Sequence, residues 1–231
     1  DNPLPKQVAN REEIPPGLTG GRQRIPGFTE LPLVAFTLLA QMAAGIAVCS
    51  LFLPILPLPL LLSIGLLLGM GGLVSFLHLG KKRNAWRAAF HLRKSWLSRE
   101  ILAAGLFGFA WAMTTSLAWL QPAPPFWLHT LLALAGIALL HSMACVYRLR
   151  AAPAWNTWRT PLSFLLSAAV LGALGVHLVS PAPGWALAVG IALALELGLA
   201  LTAPPAPHRP LARLRLILLA LCVAAALLAA Q

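Results

Sequence analysis

The sequence predicts an all-α fold, a polytopic transmembrane helix bundle of about seven helices with a cytoplasmic N-terminus. Three observations carry this. Hydrophobic residues make up 59% of the 231 and charged residues 10%, with a mean hydropathy of +0.80, more apolar surface than one water-facing core can hide. The apolar residues fall in runs of about 20, the length a bilayer core requires, and a helix satisfies every backbone group there. The Lys and Arg residues gather in alternate connections between the runs, a pattern of membrane topology.

The elements follow in order. Residues 1–30, beginning "DNPLPKQVANREEIPPG", are polar and rich in Pro and Gly. They lack a basic stretch followed by an apolar one, so they are no signal peptide and read as an extended linker. The chain opens on Asp1 rather than Met, which suggests the back half of a longer polypeptide.

The first apolar run is 32–53 and carries Thr37 and Gln41 one turn apart. A glutamine at membrane depth is expected to bond another helix. "PILPLP" ends this run, since Pro lacks a backbone donor and favours a turn or kink. The second run, 57–79, closes in "SFLHLG". His78 stands in its last turn, and Gly80 is a natural left-handed stop.

"KKRNAWRAAFHLRKSWLSRE" follows. Trp86, Phe90 and Trp96 recur at helical spacing against Arg83, Arg87 and Lys94, which fits a short helix lying in the membrane interface. A solvated loop that only fixes topology fits equally well. The third run, 97–120, opens with Ser98 as N-cap and Glu100 as a first-turn acid favoured by the helix dipole. The fourth, 126–147, carries His129 and His141 and ends at Tyr147, the only tyrosine. The fifth is 161–180. The sixth, 184–202, holds Glu196 deep within it, and the seventh is 211–230.

Residues 80–100, 148–160 and 203–215 are basic, whereas "PILPLP", "QPAPP" and "SPAPG" carry no charge. Short basic loops stay in the cytoplasm, which puts the N-terminus inside and the C-terminus outside. Trp86, Trp96, Trp155 and Trp158 then mark the inner interface, Trp119, Trp127 and Trp185 the outer one, and Trp111 alone falls mid-membrane. His129 and His177 belong near the outer face as interfacial residues.

A net charge of +11 invites a nucleic-acid reading, but these charges sort with topology and no nucleic-acid motif accompanies them. Cys49, Cys145 and Cys222 stand singly in apolar runs, with no ligand spacing for a metal or an iron–sulfur cluster.

Ionisable groups at membrane depth are costly and functional by default. Glu100 and Glu196 are the acids at or inside the runs. For Glu196 the readings are a proton path or a protonated glutamate paired with a neighbouring helix. His78 and Glu100 each have a structural reading as helix-end residues. Together they lie at one interface, at the ends of consecutive helices, where a histidine and a carboxylate could bond a quinone oxygen and move its proton.

Three stretches resemble the membrane anchor subunit of dimethyl sulfoxide reductase-type molybdoenzyme complexes. They are "AFTLLAQMAAG", "SFLHLGKKRNAWRAAFHLRKSWLSREILAAGLFG" and "CVYRLRAAPAWNTWRTPLSFLLSA". With the order of runs, the resemblance covers roughly residues 31–230. It implies a helical anchor domain, 31–231, in the bacterial inner membrane, with no metal or haem of its own. It implies menaquinone or ubiquinone as bound substrate. The partners implied are an iron–sulfur electron-transfer subunit and a molybdopterin catalytic subunit. In such anchors the histidine of H-L-G and the glutamate of L-S-x-E are associated with quinol binding. These map onto His78, beside Gly80, and onto Glu100, while Tyr147 matches the family's tyrosine.

The family usually has eight helices and starts close to the first. Seven runs suggest a short or cut C-terminal end, and the linker of about thirty residues would be explained by fusion to an upstream iron–sulfur domain. Quinol oxidation coupled to substrate reduction, and quinone reduction coupled to oxidation of a sulfur compound such as sulfite, both remain open. The alternatives are a haem b-bearing anchor, for which His78 and His141 are poorly matched in depth, and a secondary transporter, for which no internal repeat is seen.

Overall fold

The computed structural model describes residues 31–78 (backbone alone at 77 and 78), 90–121, 124–148 and 155–202. Within them the chain is helical and holds no strand. Six helices are long and apolar enough to cross a membrane: α1 (Leu31–Cys49), α2 (Leu58–His78), α3 (Trp96–Leu120), α4 (Phe126–Tyr147), α5 (Arg159–Val179) and α6 (Pro183–Leu201). The expected run at 211–230 and the linker at 1–30 lie outside the described residues, as does most of the basic stretch after α2.

The break between the first two runs falls where the prolines predict it. α1 tightens into a 3-10 turn at Ser50–Phe52, and α2 resumes after Pro54 and Pro57. The start of α3 differs from expectation. Ser95, not Ser98, is the N-cap: its backbone is extended and its hydroxyl accepts the Ser98 N–H at 3.3 Å. His91 shapes this entry, its carbonyl accepting from the N–H groups of Lys94 and Ser95. Glu100 is therefore the fifth helical residue, and no acid stands in the first turn. The dipole account of Glu100 fails with that shift, because the dipole's effect fades within one turn.

α3 packs along α4, and α5 along α6; α2 lies on α3, and α4 on α5. Lipid supplies no hydrophobic drive between helices, so close packing depends on small residues that let backbones meet. α1 shows this most clearly. A Cβ added at Gly45 would run into the Ala168 carbonyl of α5, and one at Gly172 would run into the backbone of Gly45. A Cβ on Gly136 of α4 would come within 3.3 Å of Ala44. Ala40, Ala43, Ala44 and Ala47 are buried along the same helix. Outward faces carry Leu62, Leu66, Leu73 and Phe109, all exposed, as a lipid-facing surface requires.

Trp111 is the one tryptophan expected at mid-membrane. Its indole N–H donates to the Leu61 carbonyl of α2 at 2.6 Å. Gly65 makes the room, since a Cβ there would collide with the Trp111 ring. Tryptophan away from water thus finds its partner inside the bundle. The contact also fixes register. Counting about 1.5 Å per residue in opposite directions from it, the end of α2 at His78 and the start of α3 at Trp96 reach the same depth.

Candidate functional site

The described basic residues Arg93, Lys94, Arg99, Arg148 and Arg159 flank the start of α3, the end of α4 and the start of α5. The antiparallel path brings these ends together. The Trp96 ring of α3 stands edge-on to His141 of α4, with centroids 5.8 Å apart. Tyr147, at the end of α4, packs against Phe164 of α5 at 5.2 Å. The start of α1 joins them through Thr37, whose hydroxyl oxygen lies 3.1 Å from the Tyr147 phenol oxygen.

Glu100 is buried, at 9% exposure, on the inward stripe of α3 with Ala103, Phe107 and Ala110. It makes no hydrogen bond or ion pair among the described residues. Its neighbour Arg99 is committed elsewhere. Arg99 Nε donates to the Leu92 carbonyl at 2.8 Å, Nη2 to the Arg93 carbonyl at 3.3 Å, and the guanidinium lies over the Trp96 ring at 4.2 Å. Successive helical residues point about 100° apart, so the loop keeps the arginine while the bundle takes the carboxyl.

His78 is the last residue of α2, at the depth of the α3 start, while Gly80 lies outside the described residues. Of the four residues expected at the site, the structure thus brings Glu100, Tyr147 and the backbone of His78 to one end of the bundle. His141 is exposed there, and its Nε2 lies 3.6 Å from the Cys145 sulfur.

Glu196 lies five residues from the end of α6 and level with the second turn of α5. It accepts a hydrogen bond from Ser163 at 3.1 Å. Nearby, Arg159 Nη1 donates to the Leu199 carbonyl at 3.3 Å. The carboxyl therefore sits toward the same end as Glu100, not at the middle of the span.

One expectation changes. Gln41 Oε1 is buried and bonds no other helix among the described residues. The bond between helices comes from Thr37, one turn earlier. His129 lies in the first turn of α4, at the bundle end opposite Glu100 as expected, and is 4% exposed. His177 keeps the expected character, half-buried and 3.2 Å from the Ala182 carbonyl. Nothing in the sequence signals the Thr37–Tyr147 pairing, since the two are 110 residues apart.

The sequence comparisons agree with one another. The family model described as DMSO reductase anchor subunit (DmsC) matches residues 25–188. The C chain of the anaerobic dimethyl sulfoxide reductase of Haemophilus influenzae is 32% identical over 161 residues, covering 64% of this chain and 57% of that protein. The YnfH chain of an anaerobic dimethyl sulfoxide reductase of Escherichia coli K12 is 29% identical, covering 64% and 56%. The C subunit of the sulfite dehydrogenase of Allochromatium vinosum is 35% identical, covering 54% and 46%. The chain thus spans about half the length of the curated relatives it matches. No solved structure matches it. With six apolar membrane-length helices and a family match over most of its length, this chain is a multi-pass membrane protein and belongs to the DMSO reductase anchor subunit family.

Proposed function

We propose that the chain is the membrane anchor and quinone-binding subunit of a molybdopterin oxidoreductase complex, exchanging electrons between the quinone pool and an iron–sulfur subunit. The observation that carries this is the buried Glu100 carboxyl, which has no partner among the described residues and sits at the bundle end where α2 delivers His78. A carboxyl kept out of water without a partner is costly, and such a group at membrane depth is best explained by a ligand. A quinol supplies that ligand: its ring hydroxyl donates to the carboxylate, which takes up the proton as the ring is oxidised. His78 and Gly80 complete the set of quinone-binding residues in this reading, with Tyr147 at the end of α4. Glu196, held by Ser163 at the same end, offers the proton a further station.

The ring stays menaquinone or ubiquinone, held without a metal or haem in this chain. The basic residues of this end support a cytoplasmic face of a bacterial inner membrane for it. An iron–sulfur subunit docked there receives or delivers the electrons, backed by a molybdopterin catalytic subunit. The relatives' names span both a dimethyl sulfoxide reductase and a sulfite dehydrogenase, so either direction of electron flow suits the site.

The test is quinol-linked turnover of the assembled complex, normalised to its amount, with His78→Ala and Glu100→Gln beside wild type. Loss in both, with dye-linked turnover retained, is expected. Equal loss of quinol- and dye-linked turnover would return the two residues to structural roles.

A further inference from the structure

Three side-chain polar atoms among the described residues are wholly out of contact with solvent and have no hydrogen-bond partner: Gln41 Oε1, Thr115 Oγ1 and His129 Nε2. Thr115 lies in the last two turns of α3, and His129 in the first turn of α4, both toward the bundle end opposite Glu100. Gln41, 4% exposed, lies near the end described above. It follows Thr37 by one turn, about 5.4 Å along the same face of α1. Thr37 touches Tyr147, and Ala44, a turn beyond Gln41, lies against Gly136 of α4. Gln41 is therefore held toward α4, between the Tyr147 level and the Gly136 level.

Thr37 Oγ1 lies 2.8 Å from the Leu33 carbonyl, to which it can donate, and 3.1 Å from the Tyr147 phenol oxygen, where either hydroxyl can be the donor. Tyr147 and Gln41 Oε1 thus stand about one turn apart, and Gln41 Oε1 has no donor among the described residues. A buried amide oxygen with no donor is destabilising, and replacing Gln41 by an apolar residue would remove that cost.

We infer that Gln41 is a further quinol-binding residue, its side-chain amide oxygen accepting a ring hydroxyl beside Tyr147. The inference rests on the proposed reading of this end as a quinone site. A half-turn of the amide presents Nε2 in place of Oε1, so the same side chain can follow the ring oxygen from hydroxyl to carbonyl as the ring is oxidised.

The test uses the assembled complex in membranes and a fluorescent hydroxyquinoline N-oxide that mimics a quinol. Gln41→Met keeps length and volume and removes both polar atoms. Probe binding about five- to tenfold weaker than wild type is expected, the scale of one neutral hydrogen bond, with undiminished amounts of assembled complex. Should Gln41→Met fail to assemble, Gln41→Asn takes its place, since it keeps the polarity and withdraws the amide by one methylene; weaker binding is again expected. Wild-type binding in the variant read would overturn the inference and leave Gln41 as the seat of a buried water. Glu100→Gln runs in parallel. Probe binding lost there but kept in the Gln41 variant overturns this inference alone, whereas binding kept in every variant removes the quinone reading itself.

Discussion

The Tyr147 phenol oxygen lies 3.1 Å from the Thr37 hydroxyl oxygen, a hydrogen bond that joins the end of α4 to the start of α1. The ring is held further by Phe164 at 5.2 Å and Trp155 at 6.3 Å. Tyr147 is therefore held in position by three residues.

Tyr147→Phe is expected to keep the ring packing and lose the hydroxyl. Quinol-linked turnover should fall several-fold through a raised KM for quinol, on the scale of about 1 kcal/mol per neutral hydrogen bond. Steady-state kinetics with a short-chain quinol checks this. An unchanged KM would make the Tyr147 hydroxyl a helix tie and nothing more.

Glu100→Leu separates stability from function. A carboxyl that is buried without a partner does not stabilise the bundle, and an apolar residue of similar volume should be tolerated. Thermal unfolding in detergent is expected at or above the wild-type temperature while quinol-linked turnover is lost. A clear fall in stability would mean that Glu100 is tied into the packing.

The seam between α1 and α5 should be intolerant of any side chain. Gly172→Val places its Cβ against the backbone of Gly45, and overpacking of this kind costs about 1–3 kcal/mol or more. A lower unfolding temperature and less assembled complex are expected. Gly198→Ala, where an added Cβ meets nothing within 4 Å, should be silent.

Trp111→Phe removes the indole N–H that reaches Leu61 and keeps most of the ring. Bonds between helices inside a membrane average about 0.6 kcal/mol, so a small loss of stability is expected. Gly65→Ala should cost more, because its methyl group enters the space of the Trp111 ring. If Gly65→Ala proved as stable as wild type, the close fit of α2 to α3 would be disproved.

Removing the Ser95 hydroxyl tests the corrected start of α3. Ser95→Ala should destabilise by about 1 kcal/mol, the usual worth of an N-cap, read again as thermal unfolding in detergent. No change would show that the Ser98 N–H is satisfied without it.

Length and hydropathy determined the spans, because a bilayer accepts only long apolar helices. α2, α4 and α5 begin and end within two residues of the expected runs, and the prolines of "PILPLP" mark the α1–α2 break. Charge sorting determined which helix ends share a face of the membrane. The residues "HLG" and "LSRE" were enough to single out His78, Gly80 and Glu100. What the sequence could not carry was side-chain direction and partnership, which depend on contacts between segments far apart in the chain. Ser95 displaced Ser98 as the cap because an upstream turn at His91 set the helix start. Arg99 and Glu100 are adjacent in sequence, yet only packing sends one to the loop and the other into the bundle. Gln41 was the expected bond to a neighbouring helix. The tertiary structure gave that bond to Thr37 and left Gln41 Oε1 without a partner among the described residues, because Tyr147, the last residue of α4, meets α1 at Thr37, one turn before Gln41.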